Sequence, residues 1–391
     1  MQFQYTCSDC GQTFPIQPDL TVCPQCLEKQ VPDQPLQGVL EVELEGAADR
    51  DFDISDLLPV PRQFFPAIPV GGTPLWRPVN LQQDLGFKNL YIKDDGLNPT
   101  CSLKDRASYL VSAFAAQHSI TQIVLASTGN AGSSMAGIGA AAGQQVILFL
   151  PAAAPEAKLV QALQYGATVH RVDGSYDSAY DLALEYCRRF GGMSRSTAYN
   201  PMTLEGKKTV SLEIFQQLKG SPDFIFVPTG DGCIISGVYK GFRDLHRLGL
   251  IDAIPTMVCV QAAGSDALYR AHRTGAFEAR TTQTIADSIC VDVPRNGRHA
   301  LKQLHRYDGR VMTVTDEEII AAQARLSRSA GLFSEPAGAT AFAGFLKIKA
   351  ELPSSARIVI LATGNGLKDI ATASKGICVP NTIIQNLNDI I

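Results

Sequence analysis

Short apolar runs alternate with longer stretches of helical period along most of this chain. Residues 90–94, 123–126, 146–150, 168–172, 224–227, 257–260 and 358–361 read as buried parallel strands. Between them, residues 106–118, 131–142, 156–165, 178–190, 207–218, 234–248, 316–329 and 337–350 read as helices. Strand–helix–strand repetition from about residue 88 onward predicts an α/β fold built on parallel sheets. Such sheets gather their binding loops at the carboxyl ends of the strands. The Gly-rich and polar motifs described below fall at such ends. The sequence shows no repeat of fixed short period and no low-complexity tract.

Two earlier segments lack that alternation. Residues 1–30 form a small unit marked by cysteines. Residues 31–70, rich in Pro, Asp and Glu, read as a connector that wraps over the surface with little helical or strand period. Residues 71–391 carry the alternating pattern. A chain of 391 residues is long for a single core and predicts two or three domains.

Composition narrows the class. Hydrophobic residues make up 45% and charged residues 18%, as in globular proteins. A net charge of −4 argues against a broad basic face, so no nucleic-acid partner is expected. No apolar run approaches the roughly 20 residues that span a bilayer, so no membrane association is expected. The opening residues MQFQYTCSDCG lack the basic and apolar segments of a signal peptide, and a cytoplasmic protein is the expectation.

The cysteines add chemistry. Cys7-x2-Cys10 and Cys23-x2-Cys26 are two knuckles separated by twelve residues. Cys10-Gly11 and Cys23-Pro24 carry the tight-turn residues of zinc ribbons. Four thiolates at this spacing close a tetrahedral site with no position left for water, which makes it structural rather than catalytic. An iron site and two disulfides are the alternatives, the latter disfavoured in a reducing compartment. The other six cysteines read as free thiols, most of them small buried hydrophobes.

Three loops carry the remaining chemistry. In Asn98-Pro99-Thr100-Cys101-Ser102-Leu103-Lys104-Asp105-Arg106, Ser102 and Asp105 have capping-box spacing, which places Lys104 in a first helical turn. The positive end of a helix disfavours an ammonium and so favours the neutral amine that imine chemistry needs. The loop Ser127-Thr128-Gly129-Asn130 links a strand to a helix start, where backbone N–H groups and hydroxyls suit a carboxylate. The loop Thr229-Gly230-Asp231-Gly232-Cys233-Ile234 again links strand to helix, and its glycines let successive N–H groups converge on an anion. It is neither a Walker loop nor a dinucleotide fingerprint.

These motifs, in this order, resemble those of the threonine synthases among fold-type II pyridoxal-phosphate (PLP) enzymes. NPTCSLKDR is similar to that family's cofactor-lysine motif N-P-T-G-S-F-K-D-R, with Cys101 at a glycine position and Leu103 at a phenylalanine position. Thr363-Gly364-Asn365-Gly366-Leu367-Lys368-Asp369 is similar to its T-G-x-G-L-K-D, and Glu335-Pro336-Ala337 to its E-P-A segment.

The resemblance implies two parallel-sheet α/β domains preceded by a zinc-ribbon-like unit. The smaller domain, about residues 105–200, is inserted in the larger. It implies a PLP Schiff base on Lys104, which is also the general acid–base. It implies Asn130 on the ring hydroxyl and the phosphate in a cup of Gly230, Asp231, Gly232, Cys233 and Ile234. Thr363 meets the pyridine nitrogen, with Glu335 as a candidate neighbour of the ring. Ser127, Thr128, Gly129 and Asn130 hold the substrate carboxylate. An acidic Asp231 must turn away from the phosphate. The metal set is Cys7, Cys10, Cys23 and Cys26 holding structural zinc. A homodimer is also implied.

The implied reaction is that of a lyase acting on a phosphorylated amino acid, O-phosphohomoserine plus water giving threonine plus phosphate. In the segment Asn200-Pro201-Met202-Thr203-Leu204-Glu205-Gly206-Lys207-Lys208-Thr209, Thr203 stands where the family's N-P-x-R-L-E-G-x-K-T carries an arginine for the substrate phosphate. Lys158, Arg195, Lys207 and Lys208 are the cations that can replace it. Without such a replacement the substrate is unphosphorylated. The reaction is then that of a serine/threonine ammonia-lyase or a cysteate synthase-like β-replacement enzyme.

Overall fold

The computed structural model of the chain describes residues 1–154, 159–174, 176–377, 380 and 385. Its largest sheet has six strands, in the order Arg310–Val314, Thr256–Ala262, Phe224–Pro228, Ile358–Ala362, Leu90–Asp94 and Leu75–Trp76. All neighbours are parallel except the antiparallel edge strand Leu75–Trp76. A second, wholly parallel sheet has four strands, in the order Thr168–Val172, Gln145–Pro151, Gln122–Ala126 and Met193–Ser194. Central strands such as Ile358–Ala362 are buried along their whole length, because helices cover both faces.

The strands expected from apolar runs are present with boundaries within two residues. The expected helix over 207–218 is two helices, Pro201–Lys207 and Thr209–Leu218. Asn200 starts the first of them as an N-cap, accepting from the Met202 N–H at 2.9 Å. The helix read over 156–165 is described only as Val160–Gln164, and its opening residues, Lys158 included, lie outside the described residues.

Residues read as a connector without period include a strand. Leu40–Glu45 pairs antiparallel with Gln2–Cys7, which also pairs with Thr13–Phe14. Its LEVELE alternates buried with half-buried positions and ends on an exposed one, a period of two in too short a run to stand out. This small sheet packs on the catalytic region: Glu41 pairs with Arg243 at 2.7 Å, and the Leu36 N–H donates to the Arg295 carbonyl at 2.9 Å.

Candidate active site

The four loops at issue follow the strands Leu90–Asp94, Gln122–Ala126, Phe224–Pro228 and Ile358–Ala362 at their carboxyl ends. Three of those strands are neighbours in the large sheet, so their loops start side by side. The lysine loop is stitched to the threonine loop by backbone bonds. The Leu103 N–H donates to the Thr363 carbonyl at 2.8 Å, and the Asn365 N–H to the Cys101 carbonyl at 3.0 Å. Glu335 joins them, its N–H donating to the Gly364 carbonyl at 2.9 Å.

Lys104 is the first residue of the helix Lys104–Gln117, half-buried, and its amine has no protein partner among the described residues. The expected capping box does not form. Leu103 occupies the N-cap without a side-chain bond. Asp105 instead turns back to Thr100, accepting from its N–H at 2.7 Å and from its hydroxyl. The Ser102 backbone bridges to Gly364, and its buried hydroxyl has no partner among the described residues.

Behind Lys104, Arg106 is fully buried. It bonds Asp95 at 2.6 Å and Glu213 at 2.6 Å, and Lys93 pairs with Glu213 at 2.6 Å. Asp105 and Arg106 of the lysine motif are therefore scaffold residues. Cys101 sits at φ +70°, a left-handed conformation that glycine adopts without strain.

Asn130 begins the helix Asn130–Ala142 and is buried. Its amide nitrogen donates to both Glu335 oxygens at 2.9 Å and to the Ser288 hydroxyl at 3.3 Å. Burial raises the Glu335 carboxyl above its ordinary value, opposed by the Asn130 bond and by Lys368 and Lys104 nearby. In the same loop the Ser127 hydroxyl accepts from the Gly132 N–H at 2.9 Å and the Gly129 N–H at 3.3 Å, so it caps its own helix. Thr128 and Gly129 are half-buried. Beside them opens a cleft of about 370 Å³ lined by Asn130, Ser133, Gln161, Ser288, Glu335 and Lys368. Lys368, to which sequence reading gave no role, donates to the Ser133 hydroxyl at 2.9 Å.

The cup is built of close contacts. A Cβ on Gly230 would lie 2.7 Å from the Ile289 carbonyl oxygen, and one on Gly232 would lie 2.8 Å from the Ala300 Cβ. Gly232, at φ +89°, is the N-cap of the helix Cys233–Arg247. Asn296 braces the turn from behind through the Gly232 carbonyl and the Ser236 hydroxyl, at 3.2 and 2.7 Å. Cys233 and Ile234 are buried. Asp231, expected to turn away from the phosphate, accepts with its carboxylate from the Cys233 N–H at 2.9 Å.

Of the cations weighed against Thr203, two lie near Lys104. Arg195 is buried and donates to the Lys104 carbonyl at 3.5 Å. Lys207 is buried beside the cup. Lys208 is committed elsewhere, pairing with Glu205 and with Asp244 at 2.9 Å. Thr203 itself is fully buried and donates to the Asn200 carbonyl at 2.7 Å.

The four N-terminal cysteines form a cluster of their own. The sulfurs of Cys7, Cys10, Cys23 and Cys26 all lie within 4.8 Å of one another. Cys7 is 3.7 Å from Cys26, and Cys10 is 3.8 Å from Cys23.

Four loops from two sheets thus converge on one amine with no protein partner among the described residues, and this architecture is that of a pyridoxal-phosphate enzyme. The chain belongs to the family described as "Pyridoxal-phosphate dependent enzyme", which matches residues 67–364. More narrowly, it is a threonine synthase-like lyase. It is 38% identical over 325 residues to the threonine synthase of Methanocaldococcus jannaschii, covering 81% of this chain and 80% of that relative. It is 33% identical over 392 residues to the threonine synthase of Methanosarcina acetivorans, covering 98% and 96%. Among solved structures it resembles the processed form of threonine deaminase isoform 2 from Solanum lycopersicum, with TM-score 0.70, 21% identity and coverage of 85% and 96%. It also resembles maize serine racemase, with TM-score 0.68, 23% identity and coverage of 76% and 89%. At those identities the shared property is the fold. No helix among the described residues is long and apolar enough to cross a membrane.

Proposed function

We propose that the chain converts O-phosphohomoserine and water to threonine and phosphate, using PLP carried on Lys104. The observation that carries this reading is the placement of Lys104. A half-buried amine with no protein partner among the described residues stands on a loop tied by a backbone bond to Thr363, near Glu335 and the cup. The cradle fits the cofactor. Glycines 230 and 232 let the loop turn tightly against Ile289 and Ala300 so that its amides can face an anion, and the buried Ser102 hydroxyl, two residues before Lys104, has no partner among the described residues.

Bound PLP supplies an electron sink that acidifies the substrate's Cα–H. Lys104 takes that proton at its amine and returns it along the substrate chain as phosphate leaves Cγ and water adds at Cβ. Asn130 would orient the ring through its hydroxyl. Thr363 would offer the pyridine nitrogen a neutral hydroxyl, which makes a weaker sink and favours elimination and replacement over transamination. Glu335, held toward its neutral form, is a second group able to carry a proton. The Gly129–Asn130 helix start binds the α-carboxylate, with Thr128 on its rim and Ser127 fixing the turn.

Thr203 favours a second reading. Its hydroxyl is spent inside its own helix and offers nothing to a phosphate. A serine/threonine ammonia-lyase needs no cation there, and a cysteate synthase-like enzyme acts on a different substrate. Purified enzyme given O-phosphohomoserine and L-threonine separates the readings. Phosphate and threonine from the first compound support the synthase. Oxoacid from the second, with no phosphate from the first, overturns it. Lys104→Ala should abolish either activity.

The same reading divides the chain into a ribbon at 1–30, a connector at 31–70 and a catalytic region with a smaller domain near 105–200. It places the enzyme in the cytoplasm as a homodimer, which light scattering of the purified protein would check. We also assign structural zinc to Cys7, Cys10, Cys23 and Cys26. Tetrahedral Zn–S bonds of about 2.3 Å put sulfurs about 3.8 Å apart, whereas a disulfide needs about 2.05 Å. The Cys7–Cys26 and Cys10–Cys23 separations of 3.7 and 3.8 Å agree with zinc. Elemental analysis finding no zinc would remove the assignment.

A further inference from the structure

The helix Pro201–Lys207 ends against the helix that rises from the cup. The two approach so closely that a Cβ on Gly237 would lie 2.5 Å from the Lys207 Cβ. Lys207 is 1% exposed, and its ammonium donates to the Thr203 carbonyl at 3.0 Å. Other buried lysines have carboxylates beside them: Lys93 has Glu213 at 2.6 Å, Lys208 has Asp244 at 2.9 Å, and Lys240 has Asp244 at 2.5 Å. Lys207 has no acidic partner at ion-pair distance among the described residues. The titratable groups around it are Cys233 and Asp231 of the cup, with Arg195 and Lys104.

An ammonium taken out of water without an anion is costly, and such a group either sheds its proton or waits for a ligand. Burial here pushes Lys207 down to about 7, with Arg195 and Lys104 adding to that and Cys233 and Asp231 opposing it. The cup has the complementary deficit. One of its amides, the Cys233 N–H, is taken by Asp231, and that carboxylate repels a phosphate.

We propose that Lys207 is the counter-ion of the cofactor's 5′-phosphate. This rests on reading residues 230–234 as the phosphate cup. The ammonium offsets the Asp231 charge and stands in for the donor that Asp231 removes. It reaches the cup from a neighbouring helix, which no glycine-loop pattern in the sequence reveals.

The test compares PLP with pyridoxal, which lacks the phosphate. Apoenzyme is titrated with each, following the visible absorbance of the lysine-bound cofactor, in wild type, Lys207→Met, Lys207→Arg and Gly230→Ala. Losing a charge-assisted bond should raise the PLP dissociation constant about 30-fold in Lys207→Met. Pyridoxal binding should stay within about twofold, and Lys207→Arg should keep most of the PLP affinity.

Unchanged PLP affinity in Lys207→Met alongside a large loss in Gly230→Ala overturns the proposal and leaves the cup standing. Unchanged affinity in both overturns the cup as well. Equal losses for PLP and pyridoxal make Lys207 a packing residue and overturn the proposal. So does a defect seen only in KM for a phosphorylated amino acid. If Lys207→Met does not fold, phosphorus NMR of PLP bound to wild-type enzyme decides. A phosphate fixed as the dianion across neutral pH supports the pairing, and one that titrates as in free solution overturns it.

Discussion

At the level of single residues, Cys101 shows how a substitution is carried by an unchanged backbone. The position that resembles a family glycine keeps a left-handed φ of +70° although its side chain is now a thiomethyl group. The bonds from Asn365 to its carbonyl and from its own N–H to Asn98 at 2.8 Å hold it there. A non-glycine residue in that region costs about 1–2 kcal/mol. Glycine would relieve that and return part of it as added freedom of the unfolded chain, up to about 1 kcal/mol. Cys101→Gly should therefore stabilise the protein modestly, by up to about 1 kcal/mol, with PLP binding intact. Thermal unfolding checks this, and a clear loss of stability would mean the thiol packs better than the backbone suffers. Lys207 and Lys208 teach a related lesson. They are adjacent in sequence, yet about 100° apart around a helix. One faces the cup and the other is neutralised by Glu205 and Asp244.

Among elements, the lysine helix is held by charge as well as by packing. Gly206 lets the helix Pro201–Lys207 touch it, since a Cβ there would lie 2.3 Å from the Arg106 carbonyl. Arg106 then ties the lysine helix to Asp95 beyond the strand Leu90–Asp94 and to Glu213 on the helix Thr209–Leu218. Burial alone would raise the Glu213 carboxyl, but Arg106 and Lys93 overrule it and bring it down to about 2. A carboxyl depressed in the folded state binds fewer protons there than in the unfolded chain, so it stabilises the fold at higher pH. Its contribution is complete above the ordinary value of 4.5 and fades as pH falls through about 2. Wild type should therefore lose thermal stability more steeply than Glu213→Gln between pH 4.5 and 2. Parallel slopes for the two proteins would show that the network carries no such linkage. At neutral pH the variant should be the less stable, because it leaves two buried cations short of a partner.

Across the whole molecule, the cysteine unit is joined to the catalytic region rather than appended to it. Val22, Leu36 and Val39 pack with Leu204 and Cys233, and Leu36 bonds the residue next to Asn296, which braces the cup. On the zinc assignment proposed above, stripping that metal from the four thiolates removes binding energy from a unit with little core of its own. A chelator at neutral pH should therefore lower the melting temperature of the intact protein and expose four more reactive thiols, read by thiol titration. A melting curve that ignores the chelator would separate the unit from the stability of the rest.

The chain's own order of residues determined the central strands, most of the longer helices, and where the glycine loop, the motif lysine and the cysteine knuckles stand. Each of these is written in a local period or a short spacing, which backbone sterics and side-chain direction convert directly into conformation. Short elements escaped, as Leu40–Glu45 did, because six residues give too few periods to read. Tertiary structure alone decided which side chains of a motif face the reaction. Asp105 and Arg106 stand within the lysine motif yet brace the helix, Ser127 caps its own turn, and Asn130 finds Glu335 from 205 residues away. Those outcomes depend on which surfaces are buried together and which charges lose their water. Burial of that kind is a property of the packed molecule, and no stretch of sequence carries it.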